Sequence, residues 1–277
     1  MYNCQLYRRI KMIKQIIFSV LATIIGSLSS AGFYTESQSE LRYCGTGNKT
    51  EQTETINYSR KEVQEFSISG NLPVYMISTD NPAGCANVAG AVAIGYYDRF
   101  CENLVPNVKT YMQLGNSIIY KMPTQAISDI IGELTDLMDT NKNGAGTTIN
   151  GFHKGMRDYV SGKGYTYSYN SVGDLSFSLY KNAVKNNKPV AIFLRNYSLL
   201  KSMGNSDGKD NIVTEHSAVA HVVVGCGYRV DTYYNSNNKM IASRTYLKVS
   251  DGADGAALRY LAVTGSAIEN AYAINIM

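Results

Sequence analysis

A run of mostly small residues, Cys85–Tyr97, constrains the fold of this chain more than any other segment. Its alanines and glycines predict a helix from Cys85 to about Phe100 that packs closely against other elements. Gly84 precedes the run, so the Cys85 thiol lies on the first helical turn, where the helix dipole and free backbone N–H groups favour the thiolate. The pattern therefore predicts a nucleophilic cysteine. The alternative is a small core residue, because free cysteine is among the most buried residue types.

The first 31 residues have the parts of a secretory signal peptide. A basic stretch without any acid, residues 8–14, precedes an apolar run over residues 16–26, and Ser29-Ser30-Ala31 is typical of a cleavage site. An uncleaved membrane anchor is the alternative, but the apolar run is short for a full span. We therefore expect an exported protein that is cleaved near Ala31 and contacts a membrane only through this signal.

The charge balance of the remaining chain argues against a nucleic-acid partner. The whole sequence carries 26 basic and 22 acidic residues, and residues 1–31 contain four of the basic residues and no acid. After cleavage the two signs are equal in number, so the electrostatic basis for nucleic-acid binding is lost. The expected partner is a peptide or protein substrate.

The cysteines and histidines do not predict a metal site. Cys44, Cys85, Cys101 and Cys226 are far apart, which is typical neither of zinc ligands nor of a disulfide scaffold. The segment 139–144 fits the opening of a calcium loop, but Asn150 takes the twelfth position, where a bidentate glutamate belongs. An Asn- and Gly-rich turn is the better interpretation, and we expect neither a metal nor a cofactor.

The composition and hydrophobic periodicity predict two parts after the signal peptide. Residues 32–70 are polar and are interpreted as a linker, a short pro-segment or an edge decoration, and residues 71–277 as one domain. Within the domain we expect a short strand over 73–78, then helices from 85, over 124–138, over about 150–161 and from about 172. Strands are expected at 190–194, 220–228, 245–249, 259–263 and 271–276, with a flexible flap over 201–215. Helices followed by an antiparallel sheet predict an α+β fold.

A cysteine nucleophile needs a base, and the sequence contains only three histidines. His221 begins an apolar strand that would hold an imidazole rigidly, so it is the preferred base, although a hydrogen-bonded core histidine is the alternative. His216 is the fallback base, and His153 is expected on a solvated helix surface. Asp251 follows the next strand and would orient the imidazole, unless it is an ordinary Asp-Gly turn. Asp254 is its fallback.

Four segments together resemble a papain-fold cysteine peptidase: Gly84-Cys85, 95–99, 103–106 and 221–228. The nearest type is the bacteriocin-leader (double-glycine) peptidase-like group of bacteria, and the streptopain group is more distantly similar. The resemblance covers roughly residues 73–276. It implies a papain-like fold in which the nucleophile helix packs on a C-terminal antiparallel sheet. It also implies Cys85 as nucleophile, His221 as general base and acid, and Asp251 as the orienting residue.

The chain departs from that family's pattern ahead of the cysteine. Papain-fold enzymes commonly place an oxyanion-stabilising glutamine about six residues before the nucleophile, whereas this chain has Thr79 there and Asn81 two residues later. Asn81 is the candidate side-chain donor, beside the backbone N–H of Cys85. The sequence thus predicts an exported cysteine peptidase. Its alternatives are a secreted binding or surface module without turnover, and a thiol amidase or acyltransferase.

Overall fold

The computed structural model describes residues 48–76, 84–121, 125–142, 144–253 and 257–277. They all belong to one unit, residues 41–277. The predicted signal peptide, residues 1–31, lies outside the described residues. Within the described ranges, no helix is long and apolar enough to cross a bilayer.

The described residues form four helices, at or near the positions that the hydrophobic periodicity predicts. Helix α2 buries Ile127, Ile130 and Leu134 along one face, as an amphipathic helix does. Helix α3 begins after Thr148, whose hydroxyl accepts a hydrogen bond from the Gly151 N–H at 2.9 Å. The helix expected from about residue 172 begins later. The helices are α1 (Cys85–Tyr97), α2 (Gln125–Leu137), α3 (Ile149–Gly162) and α4 (Phe177–Lys185).

The strands are more numerous and longer than the sequence suggests. The longest, β6, continues for 17 residues, well past the predicted end at residue 194. The strands are β1 (Lys49–Asn57), β2 (Arg60–Ser67), β3 (Tyr111–Leu114), β4 (Ser117–Tyr120), β5 (Tyr167–Gly173), β6 (Val190–Ser206), β7 (Lys209–Ser217), β8 (His221–Tyr234), β9 (Met240–Ser250), β10 (Arg259–Ala262) and β11 (Ala267–Ile276).

Nine of these strands form one antiparallel sheet. Seven follow the order β1-β7-β6-β10-β9-β8-β2, while β11 pairs with β6 and β5 pairs with β11. Strand β6 also pairs with β8 over Val190–Leu194, so the pairing runs around a ring of β6, β10, β9 and β8. Strands β3 and β4 form a separate hairpin. The main core lies where α1 and α4 pack on β8.

The α+β, papain-like fold predicted from the sequence is wrong. Strands hold 45% of the described residues and helices only 23%, so the architecture is a large antiparallel sheet with few helices. The segment 201–215, expected to be a flexible flap, belongs to β6 and β7, which pair around a turn at Gly208 (φ 74°). Residues 49–67, part of the expected linker or edge decoration, form β1 and β2 at the two ends of the strand order. All residues of β1 except Ile56 are exposed, so this strand lacks the alternation that marks a half-buried strand.

A second, smaller core attaches these outer strands. Ile56 of β1, Ile212 of β7 and Tyr233 of β8 form it. Beside it the Lys61 ammonium of β2 contacts two fully buried carboxylates, Asp210 at 2.5 Å and Asp231 at 2.9 Å. Buried carboxylates need such partners because desolvation of an unpaired charge is costly. The N-terminal strands are therefore part of the folded unit.

The predicted close packing of α1 is confirmed. Every residue of the helix is buried. A Cβ atom at Gly95 would lie 2.5 Å from the Tyr75 hydroxyl, and one at Gly90 would lie 3.0 Å from the Leu134 side chain. The strand expected over 73–78 is absent from the described residues 73–76, which are irregular and place Tyr75 against the helix. Residues 77–78 lie outside the described ranges.

His153 corrects a further expectation. It is 5% exposed, not solvated, because α3 turns it into a group of aromatic rings. Its Nδ1 lies 2.8 Å from the Tyr167 hydroxyl, and its ring stacks on Tyr169 with a centroid separation of 3.7 Å. Burial lowers the pKa of His153 to about 4. The imidazole is therefore neutral at pH 7.

This burial predicts an acid-sensitive contribution to stability. The unfolded chain binds a proton at His153 near the ordinary pKa of 6.5, whereas the folded chain resists protonation down to about 4. Stability is therefore lost as the pH falls through that window. Between pH 7 and pH 4 we expect the free energy of unfolding of the wild type to fall relative to that of His153→Phe by about 3 kcal/mol.

Urea denaturation of both proteins at each pH measures this difference, and the contributions of other titrating groups cancel in it. A difference that stays constant from pH 7 to pH 4 contradicts the assignment of a buried neutral imidazole to residue 153.

Candidate active site

Cys85 is the first residue of α1, as predicted. Gly84 precedes it in an extended conformation (φ −72°, ψ 164°), and the first turn of the helix carries no acidic side chain. The first backbone N–H groups of a helix have no partners within it and form the positive end of the helix dipole. This environment stabilises negative charge on the sulfur. The side chain is 1% exposed.

Strand β8 lies directly against the sulfur. The Val222 N–H donates to Cys85 Sγ across 3.3 Å. Val222 is the second residue of β8 and follows His221, so the sulfur contacts the backbone beside the candidate base. A hydrogen bond donated to a charged group favours its charged form. The structure thus brings the helix start and the strand start together.

The hydrogen bonds of His221 define its tautomer. Its Nε2 lies 2.8 Å from the main-chain carbonyl oxygen of Asp251. A carbonyl only accepts, so Nε2 carries the proton and Nδ1 carries the lone pair. Nδ1 is buried and has no hydrogen-bond partner within the described residues. Burial, and more weakly the positive charge of Lys49, lowers the pKa of His221, against the opposing effect of Asp251. The ring is therefore a neutral base.

Asp251 lies beside His221, as the hairpin argument predicts, but its carboxylate makes no hydrogen bond to the imidazole. The carboxylate accepts hydrogen bonds from the Ala253 N–H at 3.1 Å and from Arg259 Nη1 at 3.2 Å. The main-chain carbonyl, fixed at the end of β9, takes the place expected for the carboxylate. The group that holds the imidazole in this structure is therefore the Asp251 backbone, whereas the family resemblance implies the side chain.

His216, the fallback base, lies on the other face of the sheet. It pairs with Ser198 in the β6–β7 register, and its Nδ1 is 3.1 Å from the Ser198 hydroxyl. The preceding residue, Tyr197, stacks on the His221 ring. Consecutive residues of a strand point to opposite faces, so His216 is turned away from His221.

Sequence reasoning missed Tyr197 and Arg259. The Tyr197 ring stacks on His221 with a centroid separation of 4.8 Å and an interplanar angle of 27°. Arg259 holds the carboxylate of Asp251, whose carbonyl holds the imidazole. Tyr197 follows the predicted end of its strand, and Arg259 becomes a neighbour of Asp251 through the pairing of β10 with β9. An extension of the strand pattern beyond Leu194 was the only available signal for Tyr197.

Several predicted residues lie outside the described ranges: Thr79, Asn81, Asp254 and Cys44. The backbone at the start of α1 is thus the described candidate for an oxyanion site, through the Cys85 N–H. Among the described residues no group of three or more His, Cys, Asp or Glu side chains could hold a metal ion. In the expected Asn- and Gly-rich turn, Asp139 pairs with Lys142 at 2.6 Å.

The other described cysteines have different surroundings. Cys101 and Cys226 are both buried, and neither forms a disulfide. Burial raises the pKa of Cys101, and it raises that of Cys226 to about 12. Neither residue lies at a helix start, so both are expected to stay protonated and unreactive.

Comparison of the sequence with protein-family models finds no match, and neither does comparison with curated proteins. The site is therefore interpreted from its own geometry. The fold that the resemblance to papain-fold peptidases implies is already excluded by the sheet, and the chemistry that it implies for Cys85 and His221 stays a prediction.

The contrast between the three thiols gives a direct test. Iodoacetamide at pH 6 is expected to alkylate Cys85 at least about tenfold faster than Cys101 or Cys226, because only Cys85 has a helix start and a backbone donor to stabilise the thiolate. Peptide mass spectrometry over a time course measures the three rates. Equal rates, or faster labelling of Cys226, contradict the assignment of Cys85 as the reactive thiol.

Proposed function

We propose that this chain is an exported thiol hydrolase that cleaves peptide bonds, with Cys85 as the nucleophile and His221 as the general base and acid. One observation carries the proposal. His221 Nδ1 bears a lone pair without a hydrogen-bond partner in the described residues, and the N–H of the next residue, Val222, contacts the Cys85 sulfur.

The arrangement supports a two-step reaction. His221 Nδ1 takes the proton of the Cys85 thiol as the sulfur attacks the carbonyl carbon of the scissile bond. The imidazolium then protonates the leaving amine, which departs and leaves a thioester on Cys85. Water, deprotonated by the same nitrogen, hydrolyses the thioester and regenerates the thiol. Throughout, the Asp251 carbonyl accepts from Nε2–H and holds the ring in one orientation.

The burial of both candidate catalytic side chains favours a second function, a secreted binding module without turnover. Cys85 is 1% exposed and His221 is fully buried. A substrate carbonyl reaches the sulfur only if the groups around it separate. The hydrolase proposal therefore requires that these groups separate when the substrate binds.

Hydrolysis by matched variants distinguishes these functions. Residues 32–277 are incubated with denatured casein and with a fluorogenic peptide library. Cys85→Ala is expected to abolish turnover, and His221→Ala to lower it by about 10²–10⁴-fold, the usual contribution of general acid–base catalysis. Cys101→Ala, which removes a buried thiol elsewhere, is the control and is expected to keep wild-type turnover. Because burial lowers the pKa of His221, the acid limb of kcat/KM is expected below pH 6.5.

Turnover that survives in Cys85→Ala, or an absence of turnover in a wild type that is folded by circular dichroism, contradicts the hydrolase proposal. The absence of turnover together with peptide binding favours the binding module. Incorporation of a primary amine into the acyl group instead of hydrolysis indicates a thiol acyltransferase.

The role of the Asp251 backbone leads to a separate prediction. Asp251→Asn keeps the main-chain carbonyl that holds His221, so we expect kcat/KM to fall by less than about tenfold. A carboxylate that orients the imidazole directly would cost about 10⁴-fold in the same substitution. Steady-state kinetics at pH 7 measures the change, and thermal unfolding checks that the variant is folded. A loss close to that of His221→Ala contradicts the backbone role.

A further inference from the structure

A cavity of about 700 Å³ lies beside the candidate active site. Its lining includes Lys49, Lys201, Glu215, Ala253 and Arg259. This volume is within the range of small-molecule and peptide sites in proteins. The cavity therefore has room for one or two residues of an extended peptide.

Direct contacts connect the cavity to His221. Ala253 and Arg259 both bind the carboxylate of Asp251, and the Asp251 carbonyl binds the imidazole. Lys49, at the start of β1, lies close enough to His221 for its charge to lower the pKa of that imidazole. A ligand in the cavity is thus separated from the imidazole by a single residue, Asp251.

The charges that face the cavity are mostly positive. Three cations, Lys49, Lys201 and Arg259, line it together with one carboxylate, Glu215. Arg259 is balanced in part by Asp251 at 3.2 Å behind it and by Glu215 at 3.7 Å, but the three cations that line the cavity still outnumber its one carboxylate. The lining therefore attracts an anionic group.

The lysines of the lining can change partners at little cost. Lys49 pairs with Glu215 at 2.8 Å and Lys201 pairs with Glu51, and the lysine side chains are 43% and 50% exposed. Exposed ion pairs contribute little to stability, so a ligand carboxylate can take the place of either partner. Arg259 is only 18% exposed, and its position is fixed by its bond to Asp251.

Apolar side chains complete the lining. Met76 is 47% exposed there, and Leu200, Leu258 and Tyr260 also line the cavity. An exposed methionine beside cations matches an aliphatic group next to a carboxylate. A peptide supplies both through neighbouring residues.

We propose that this cavity is a substrate subsite that binds a peptide carboxylate, so that the enzyme prefers acidic peptides. The proposal rests on the proposed hydrolase function, because it treats the cavity as part of the same site. The carboxylate is either an acidic side chain or the free end of a peptide, since Arg259 and the two lysines recognise the same chemistry in both.

Binding to an inactive protein tests the subsite without turnover. Cys85→Ala of the chain from residue 32 is titrated with N-acetylated, C-amidated tetrapeptides that carry Glu, Gln or Lys at one position and are otherwise identical. We expect the Glu peptide to bind roughly tenfold more tightly than the Gln peptide, and its advantage to shrink as salt is raised. Free-acid and amidated forms of the Gln peptide distinguish a chain-end carboxylate from a side-chain carboxylate.

Lysine variants then locate the binding. Added to Cys85→Ala, Lys201→Gln is expected to lower the Glu-over-Gln preference at least threefold, since it removes one of three cations. Lys185→Gln, at the end of α4 and outside the cavity lining, is the control and is expected to leave the preference unchanged.

Equal binding of the Glu and Gln peptides, with no effect of a free carboxyl end, overturns the subsite. A preference that Lys201→Gln and Lys185→Gln alter equally also overturns it. Preferential binding of carboxylate peptides by a wild type that hydrolyses none of them supports the subsite and overturns the hydrolase function, so the two failures are distinguishable.

Discussion

The contact between the Cys85 sulfur and the Val222 N–H joins the start of α1 to the start of β8. It exists because α1 is buried along its whole length, which only small side chains allow at positions such as Gly90 and Gly95. The thiol is therefore held by packed secondary structure and not by a surface loop. The pairing of β8 with β9, and of β9 with β10, then places Asp251 and Arg259 beside this contact.

Asp251 has two roles in this arrangement because its main-chain carbonyl and its carboxylate point in different directions. Its main-chain carbonyl fixes the proton of His221 on Nε2, while its carboxylate binds Arg259 in the cavity wall. A carbonyl is a weaker acceptor for an imidazolium than a carboxylate, since it carries no full charge. The buried ring therefore stays neutral, which suits a base that receives a proton only during the reaction. The same residue couples the imidazole to the subsite where a carboxylate would bind.

Much of the local structure was predictable, including five strands of the antiparallel sheet, but the full extent of that sheet was not. Helices α2 and α3 show in the sequence because an apolar face recurs at helical spacing, and α1 shows because its residues are small. Strand β1 and the hairpin of β6 and β7 are polar on most of their surface, so no alternation marks them. Long-range pairing alone makes them strands. His153 looks solvated beside a lysine, yet its burial depends on rings from β5 and β11.

The sequence by itself determined which groups can react: one thiol at a helix start, and an imidazole at the start of an apolar strand. These are local properties, set by the residue type and by the element that carries it. Only the tertiary structure decided that the sulfur lies against the backbone beside that imidazole, that a backbone carbonyl holds the ring, and that Tyr197 and Arg259 lie around this pair. The reason is physical: strand register and side-chain direction depend on partners far along the chain, and no local pattern encodes which strand pairs with which.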